Sequence, residues 1–242
     1  MHELVGLITS ALNETGDILV NLGYPNLGAF VAEALEAGAK VKSGAETSQV
    51  DVVLERLVCA IPAFQDMAVV DNQPIYCFKK ALFLIHAIVI RFGSMSPPPF
   101  PTPSTAQSPV FTDNVLPSML IHLGVIDLST SPGLSHLFPH ADPSGLLEAF
   151  NGNQNSQNVP KEGPILTSDQ AYILRAAAID ACEMIVEVAH NLSGDSLPPD
   201  GSLDWLKDIN LPDLDMWIWA VAKDRQDYRQ LERFALRNTV FF

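Results

Sequence analysis

Residues 77–92 read CFKKALFLIHAIVIRF and are followed at 97–103 by PPPFPTP. The first run has no proline or glycine, is too long for a strand, and is apolar over most of its length. It predicts a largely buried helix from about Cys77 to Phe92. The prolines then forbid regular structure and predict an extended, semi-rigid linker over 94–110. A helix is expected to restart at Thr112 or Asp113 and to stop at Gly124.

Outward from this pair, helical spacing dominates. Leu4, Leu7, Ile8, Leu12, Ile18, Leu19 and Leu22 fit one helix over His2 to Leu22, with Gly16 weakening its middle. Asn26 is placed to cap a second helix ending at Gly38, with Phe30, Val31 and Leu35 on one face. A third, about Thr47 to Ala60, turns Val50, Val53, Leu54 and Leu57 inward. β-Branched residues around Asp71-Asn72-Gln73-Pro74 predict a short hairpin between Met67 and Phe78. Residues 129–158 suggest short helical pieces, and the Asn/Gln/Gly/Ser tract within 151–163 reads as a flexible loop. Thr167-Ser168-Asp169-Gln170 has the form of a capping box opening a long helix to about His190. Ser196 to Gly201 reads as a turn-rich link. A tryptophan-bearing helix, a charged helix and a β-prone tail, Thr239 to Phe242, complete the chain. The expectation is an all-α bundle with minor β content, in one domain spanning 1–242.

The totals exclude several classes. Of 242 residues, 48% are hydrophobic, enough for a sizeable core, and the formal charge is −14. Nucleic-acid binding relies on clustered Lys and Arg, and no basic stripe is evident. The densest basic segment, Lys223 to Arg237, is interleaved with Asp224, Asp227 and Glu232 and reads as a solvated helix face. No apolar run reaches the roughly 18 residues that span a bilayer. The opening Met-His-Glu-Leu lacks the pattern of a secretory signal, so a cytoplasmic protein without a membrane partner is expected. Cys59, Cys77 and Cys182 form neither a CxxC nor a zinc-type pair with histidine. Each sits among apolar neighbours and reads as a small core residue in a reducing compartment. No metal or organic cofactor is implied.

Several segments, read in order, resemble the queuosine-salvage N-glycosidase family. Leu12 to Leu19 is similar to its LNETGxIL segment, and Ile61 to Asp66 to its FPxxRD. Phe78-Lys79-Lys80-Ala81 falls where that family has YKRAQ, Phe111-Thr112-Asp113 where it has FADYRxPQ, and His122-Leu123-Gly124 matches HLG. Leu174-Arg175 through Glu183 follows its EIRG…VEL helix. Leu214 to Trp219 looks like LDYYLWD, and Val240-Phe241-Phe242 like its closing aromatic pair. Departures accompany the matches. The family's amino-terminal portion has no counterpart, Asn114 and Val115 follow Asp113 where an arginine is expected, and Leu82, Ala87, Ala220 and Ala235 replace polar motif residues.

The resemblance implies a helical fold like that of helix-hairpin-helix DNA glycosylases and release of a base from queuosine 5′-phosphate. It implies Asp113 as the carboxylate beside the sugar carbon, with Lys79 as its cationic partner. N-glycosidic cleavage passes through an oxocarbenium-like state, which a nearby carboxylate stabilises or supplies with an oriented water. The bland alternative is that Asp113 or Thr112 only caps the following helix. Lys80, His86, Asn114, Arg175, Trp217 and Trp219 are the candidate substrate-binding residues. His86 reads rather as a hydrogen-bonded core histidine, His122 as a packing residue, and Arg175 and Glu183, eight apart and expected to share a helix face two turns apart, as members of structural salt bridges. Trp217 and Trp219 are two apart and cannot share a face.

Three functions compete at this stage. One is a divergent hydrolase cleaving a nucleoside or nucleotide-like N-glycoside. Another is a repurposed cyclase, lyase or isomerase acting on a mainly apolar metabolite, with Asp113 as an acid. The last is a non-catalytic binding or assembly protein, with a homo-oligomer covering apolar faces.

Overall fold

The computed structural model describes residues 2–42, 47–141, 162–192, 197–198 and 200–241. Of the 129–158 stretch expected to hold short helical pieces, residues 129–141 carry turns and no helix, while 142–158 and most of the 151–163 loop lie outside the described residues. Glu162 and Gly163, assigned to that loop by sequence, are strand residues instead. The chain is mostly helical with two small two-stranded sheets. It divides into two compact units, one of Met1–Met67, Tyr76–Phe111 and Asn238–Phe242, the other of Ala68–Ile75 and Thr112–Arg237.

The first unit holds α1 (His2–Asn21), α2 (Leu27–Gly38), α3 (Gln49–Ala60) and α4 (Lys79–Phe92). Asn26 caps α2 by accepting from Ala29 N at 2.9 Å. Ser48 and Asp51 form a reciprocal capping box on α3, satisfying two donors that a helix start leaves open. Phe30, Val31, Leu35, Val53, Leu57, Ala81, Leu82 and Ile85 bury the inward stripes of α2, α3 and α4 in one cluster. A Cβ at Gly38 would meet Gln49 O at 2.8 Å and Val53 Cγ2 at 2.9 Å, so glycine lets α2 end against α3. Only Leu19 of α1 is buried, while Leu4, Val5, Ile8, Leu12 and Val20 are exposed. The proline-rich segment carries no helix or strand, yet Pro103, Thr105, Ser108 and Val110 are buried and Phe100 packs on the helical cluster.

Between α3 and α4, a 3₁₀ turn (Pro62–Phe64) leads into the hairpin β1 (Met67–Val70) and β2 (Gln73–Tyr76). Asp71 and Asn72 both adopt positive φ, 49° and 62°, which suits a two-residue hairpin turn and favours Asp and Asn. Helix α4 starts at Lys79 because Phe78 is itself left-handed, at φ 45°.

The second unit is built on α5 (Val115–His122), all eight residues of which are buried. It packs against α6 (Ser168–His190), α7 (Leu211–Asp224) and the strand β4 (Arg233–Ala235). Thr167 and Gln170 cap α6 reciprocally, as their spacing predicts. Its inward face, Ala171, Leu174, Arg175, Ala178, Ala181 and Cys182, follows helical periodicity. A four-residue helix α8 (Gln226–Arg229) follows α7. The charged stretch expected to be one helix is thus the end of α7, α8 and a strand. β4 pairs in parallel with β3 (Glu162–Ile165), through Glu162 with Arg233 and Ile165 with Ala235. Strand content near the end of the chain lies at 233–235; of the tail expected to be β-prone, the described residues 239–241 carry no strand.

Candidate functional site

In the first unit, Lys79 opens α4 beside a carboxylate that sequence reasoning left in a motif without a role. Asp66 is buried, its carbonyl accepts from Cys77 N and Phe78 N, and its Oδ2 accepts from Lys79 N at 3.1 Å. It thus does for α4 what an N-cap side chain does elsewhere, since residue 78 offers none. The Lys80 ammonium donates to Val240 O. Burial of that group, and then the like charge of Lys79, lower its pKa, against the opposing charge of Asp66. His86 is buried, lies 2.8 Å from Thr105 Oγ1, and tilts against Phe111 at 5.2 Å. The hydrogen-bonded core reading describes these contacts.

In the second unit the structure brings Asp113, Asn114 and Arg175 together. Asp113 is 2% exposed, and its Oδ1 accepts from Val115 N at 2.7 Å. That bond moves the start of α5 from the expected Thr112 or Asp113 to Val115. The preceding carbonyl, Thr112 O, is gripped by Arg175 through Nε at 3.2 Å and Nη2 at 2.8 Å. Arg175 is fully buried, its guanidinium carbon 5.1 Å from the Tyr172 ring centre. Glu183 is exposed, so the two do not share an environment. Eight residues advance a helix by about 80° beyond two full turns.

A polar stripe then ties α5 to β4. Asn114, Ser118 and His122 stand at i, i+4 and i+8, each step turning about 40° around the axis, so they form a slanting stripe. Asn114 Nδ2 donates to Phe234 O at 2.8 Å, Phe234 N donates to Ser118 Oγ at 3.3 Å, and His122 Nε2 donates to Glu232 O at 2.9 Å. Residues 232 and 234 present their backbone groups to one edge of the strand, and 233 and 235 pair with β3 on the other. Helix side chains therefore complete an edge that would otherwise be open. Each such bond contributes about 1 kcal/mol net, and far more is lost when a buried partner is left alone.

The alternation that buries Phe234 turns Leu231, Arg233 and Arg237 toward a cavity of about 900 Å³. Lys223 from the end of α7, Arg229 from α8 and Glu162 from β3 complete its charged lining. Four of the chain's fourteen Lys and Arg residues therefore line one cavity. Among the described residues none of the four is in a salt bridge; Arg225, outside the lining, is paired with Asp227 at 2.5 Å. Arg233 donates to Ala222 O at 2.6 Å, while its Nε is buried without a partner. Burial lowers the Arg233 pKa, Asp113 opposes that shift, and Arg229 reinforces it. Arg233 thus senses the charges of both Asp113 and Arg229.

The remaining candidates separate. Trp219 carries the Lys223 ammonium 3.8 Å above its ring centre, and Trp217 is 52% exposed on the same helix. Lys79 belongs to the first unit and Asp113 to the second. Cys77 and Cys182 are buried as expected, but Cys59 is exposed, a correction to its reading as a core residue. No described residues form a cluster suited to a metal ion, and no described helix is long and apolar enough to cross a membrane. The cavity's cations were missed because 223–237 was read as one solvated helix. The available signal was period-two spacing at Leu231, Arg233, Ala235 and Arg237. No family model and no curated protein matches the chain.

Proposed function

We propose that this chain is a divergent N-glycoside hydrolase acting on a nucleoside or nucleotide-like small molecule, the chemistry its motifs resemble. The observation that carries the reading is Asp113. A buried carboxylate is costly to maintain, and this one is fixed on both sides, by Val115 N on its Oδ1 and by the Arg175 grip on the preceding carbonyl. Such fixing suits a group that must meet developing positive charge without rearranging. In the proposed step the glycosidic C–N bond breaks, its electron pair leaves with the base, and Asp113 faces the cationic sugar until water adds. The water's proton passes to solvent or to the departing base. Asn114 and Arg175 position the aspartate's segment. The cation-lined cavity favours a polar ligand over the mainly apolar metabolite of the competing reading.

The test is base release, followed by chromatography, from nucleosides and nucleoside monophosphates including queuosine 5′-phosphate. Release by the native chain that falls at least a hundredfold in Asp113→Asn, with native circular dichroism, supports the reading. Release indifferent to that substitution, or none from any substrate, overturns it.

A further inference from the structure

We propose that the open cavity lined by β3, β4, α8 and the end of α7 binds a small ligand bearing about two negative charges, a phosphate monoester or a dicarboxylate. The inference goes beyond the hydrolase reading and does not depend on it, because none of the four cations belongs to the motifs that carry the family resemblance.

The argument is one of charge placement. An acidic chain with few basic residues has no reason of solubility to gather Lys223, Arg229, Arg233 and Arg237 around one concavity. Bringing like charges together costs Coulomb energy, more so where burial thins the surrounding water. Arg233 feels both burdens, from desolvation and from Arg229. Elsewhere on the same segment the fold discharges a cation internally, as Arg225 does on Asp227. Around the cavity, among the described residues, it does not. Glu162 is the lining's one carboxylate among the described residues, and the charge of Asp113 offsets part of the positive charge at Arg233. An excess of about two positive charges remains, which a dianion would neutralise.

The donors also suit an oxyanion. Arginine presents planar pairs of N–H groups that match phosphate and carboxylate oxygens. Arg233 already spends one nitrogen on Ala222 O, which fixes the side chain, and its Nε has no partner. Trp219 steadies the Lys223 ammonium from one side and leaves its other hydrogens for a ligand. The volume, about 900 Å³, exceeds what an anion alone needs, so the charged group anchors a larger molecule.

Isothermal titration calorimetry on the full chain with inorganic phosphate, malonate and glycerol tests the proposal. Phosphate or malonate should bind with one site per chain while glycerol does not, and the tighter of the two assigns the anion class. Arg229→Gln and Arg237→Gln should each weaken that binding about tenfold, as loss of a charge-assisted contact does. Arg225→Gln, on the same segment but outside the lining, should leave it unchanged. Asp113→Asn removes a competing negative charge and should tighten anion binding even as it abolishes base release. Tight phosphate binding without nucleoside cleavage would support this site and leave only the hydrolase reading overturned. Absence of binding by either anion, or equal weakening in Arg225→Gln and the two lining variants, would overturn it.

Discussion

Replacing Arg175 asks which of two opposing terms governs a fully buried guanidinium. Its Nε and Nη2 both donate to Thr112 O, at 3.2 and 2.8 Å. A hydrogen bond from a charged donor contributes about 1.5–3 kcal/mol, and two that share one acceptor contribute less than twice that. Against this stands the cost of taking a cation out of water, several kcal/mol even after relaxation. Arg175→Lys keeps the charge but loses the fork, and an ammonium is more strongly hydrated than a guanidinium. Its expected cost is about 2–4 kcal/mol. Arg175→Met removes the two bonds to Thr112 O and orphans that buried carbonyl, about 1–3 kcal/mol, but no longer buries a charge. The methionine variant is therefore expected to be no less stable than the lysine one. Urea unfolding followed by tryptophan fluorescence reads this directly, because Trp205, Trp217 and Trp219 all lie in the second unit. With a slope of roughly 2 kcal/mol per molar urea, a loss of about 2 kcal/mol moves the midpoint by about 1 M. A methionine variant clearly less stable than the lysine variant would refute the reasoning and show that hydrogen bonding outweighs desolvation here.

Two further outcomes follow from local geometry and titration. Gly163→Ala places a Cβ against the backbone of Arg233, with the amide nitrogen 2.8 Å away and the carbonyl closer still. Backbone cannot swing aside, so β3 and β4 must part at a cost of about 1–3 kcal/mol or more. Amide exchange at Leu166, whose N–H donates to Ala235 O at 2.9 Å, should lose protection, and unchanged protection would contradict the stated packing. The Cys182 thiol is pushed up to about 12 from 9.0 by burial, with the charges of Asp215 and Glu183 adding to it. The folded chain keeps this proton where the unfolded chain loses it, so stability falls as pH rises from about 9 to about 12. The slope is up to about 1.4 kcal/mol per pH unit. Denaturation midpoints should fall less steeply with pH in Cys182→Ala, and alkylation at neutral pH should label the exposed Cys59 alone; parallel pH profiles, or labelling of Cys182, would contradict this.

What could be read in advance was chemistry contained within a few residues. Asn26 caps α2 and the Thr167–Gln170 box opens α6, because a cap is decided by a side chain three positions from its partner. The hairpin at Asp71-Asn72 was legible for the same reason. Some errors came from ignoring angles the sequence already contained. Cys59 stands about 200° around α3 from Leu57, hence on the opposite face whatever its neighbours are. Other features were out of reach. β4 is three residues long and its partner strand lies about seventy positions earlier, so the period-two spacing at 231–237 is only a weak local sign of it. The Asp113 segment was legible as a candidate site, but the clamp from Arg175 is set by the packing of α5 against α6. Long-range pairs of this kind carry no periodic signature.

The net charge carries a lesson of scale. A charge of −14 is a sound argument against nucleic acid, because a phosphate chain spreads its charge along a surface and needs a continuous basic stripe there. It is no argument against a small anion. In physiological salt, exposed charges are screened beyond about 8 Å, so most of the acidic surface is invisible to a ligand already inside a cavity. What such a ligand meets is the lining, where Lys223, Arg229, Arg233 and Arg237 outnumber Glu162 and where partial burial weakens screening. The acidic exterior and the basic cavity are thus compatible and complementary in effect. The first discourages polyanions from adhering anywhere, and the second retains one small anion at a defined place. Composition describes the outer surface, while the alternation of one short strand, held on its far edge by Asn114, Ser118 and His122, sets the sign of charge inside.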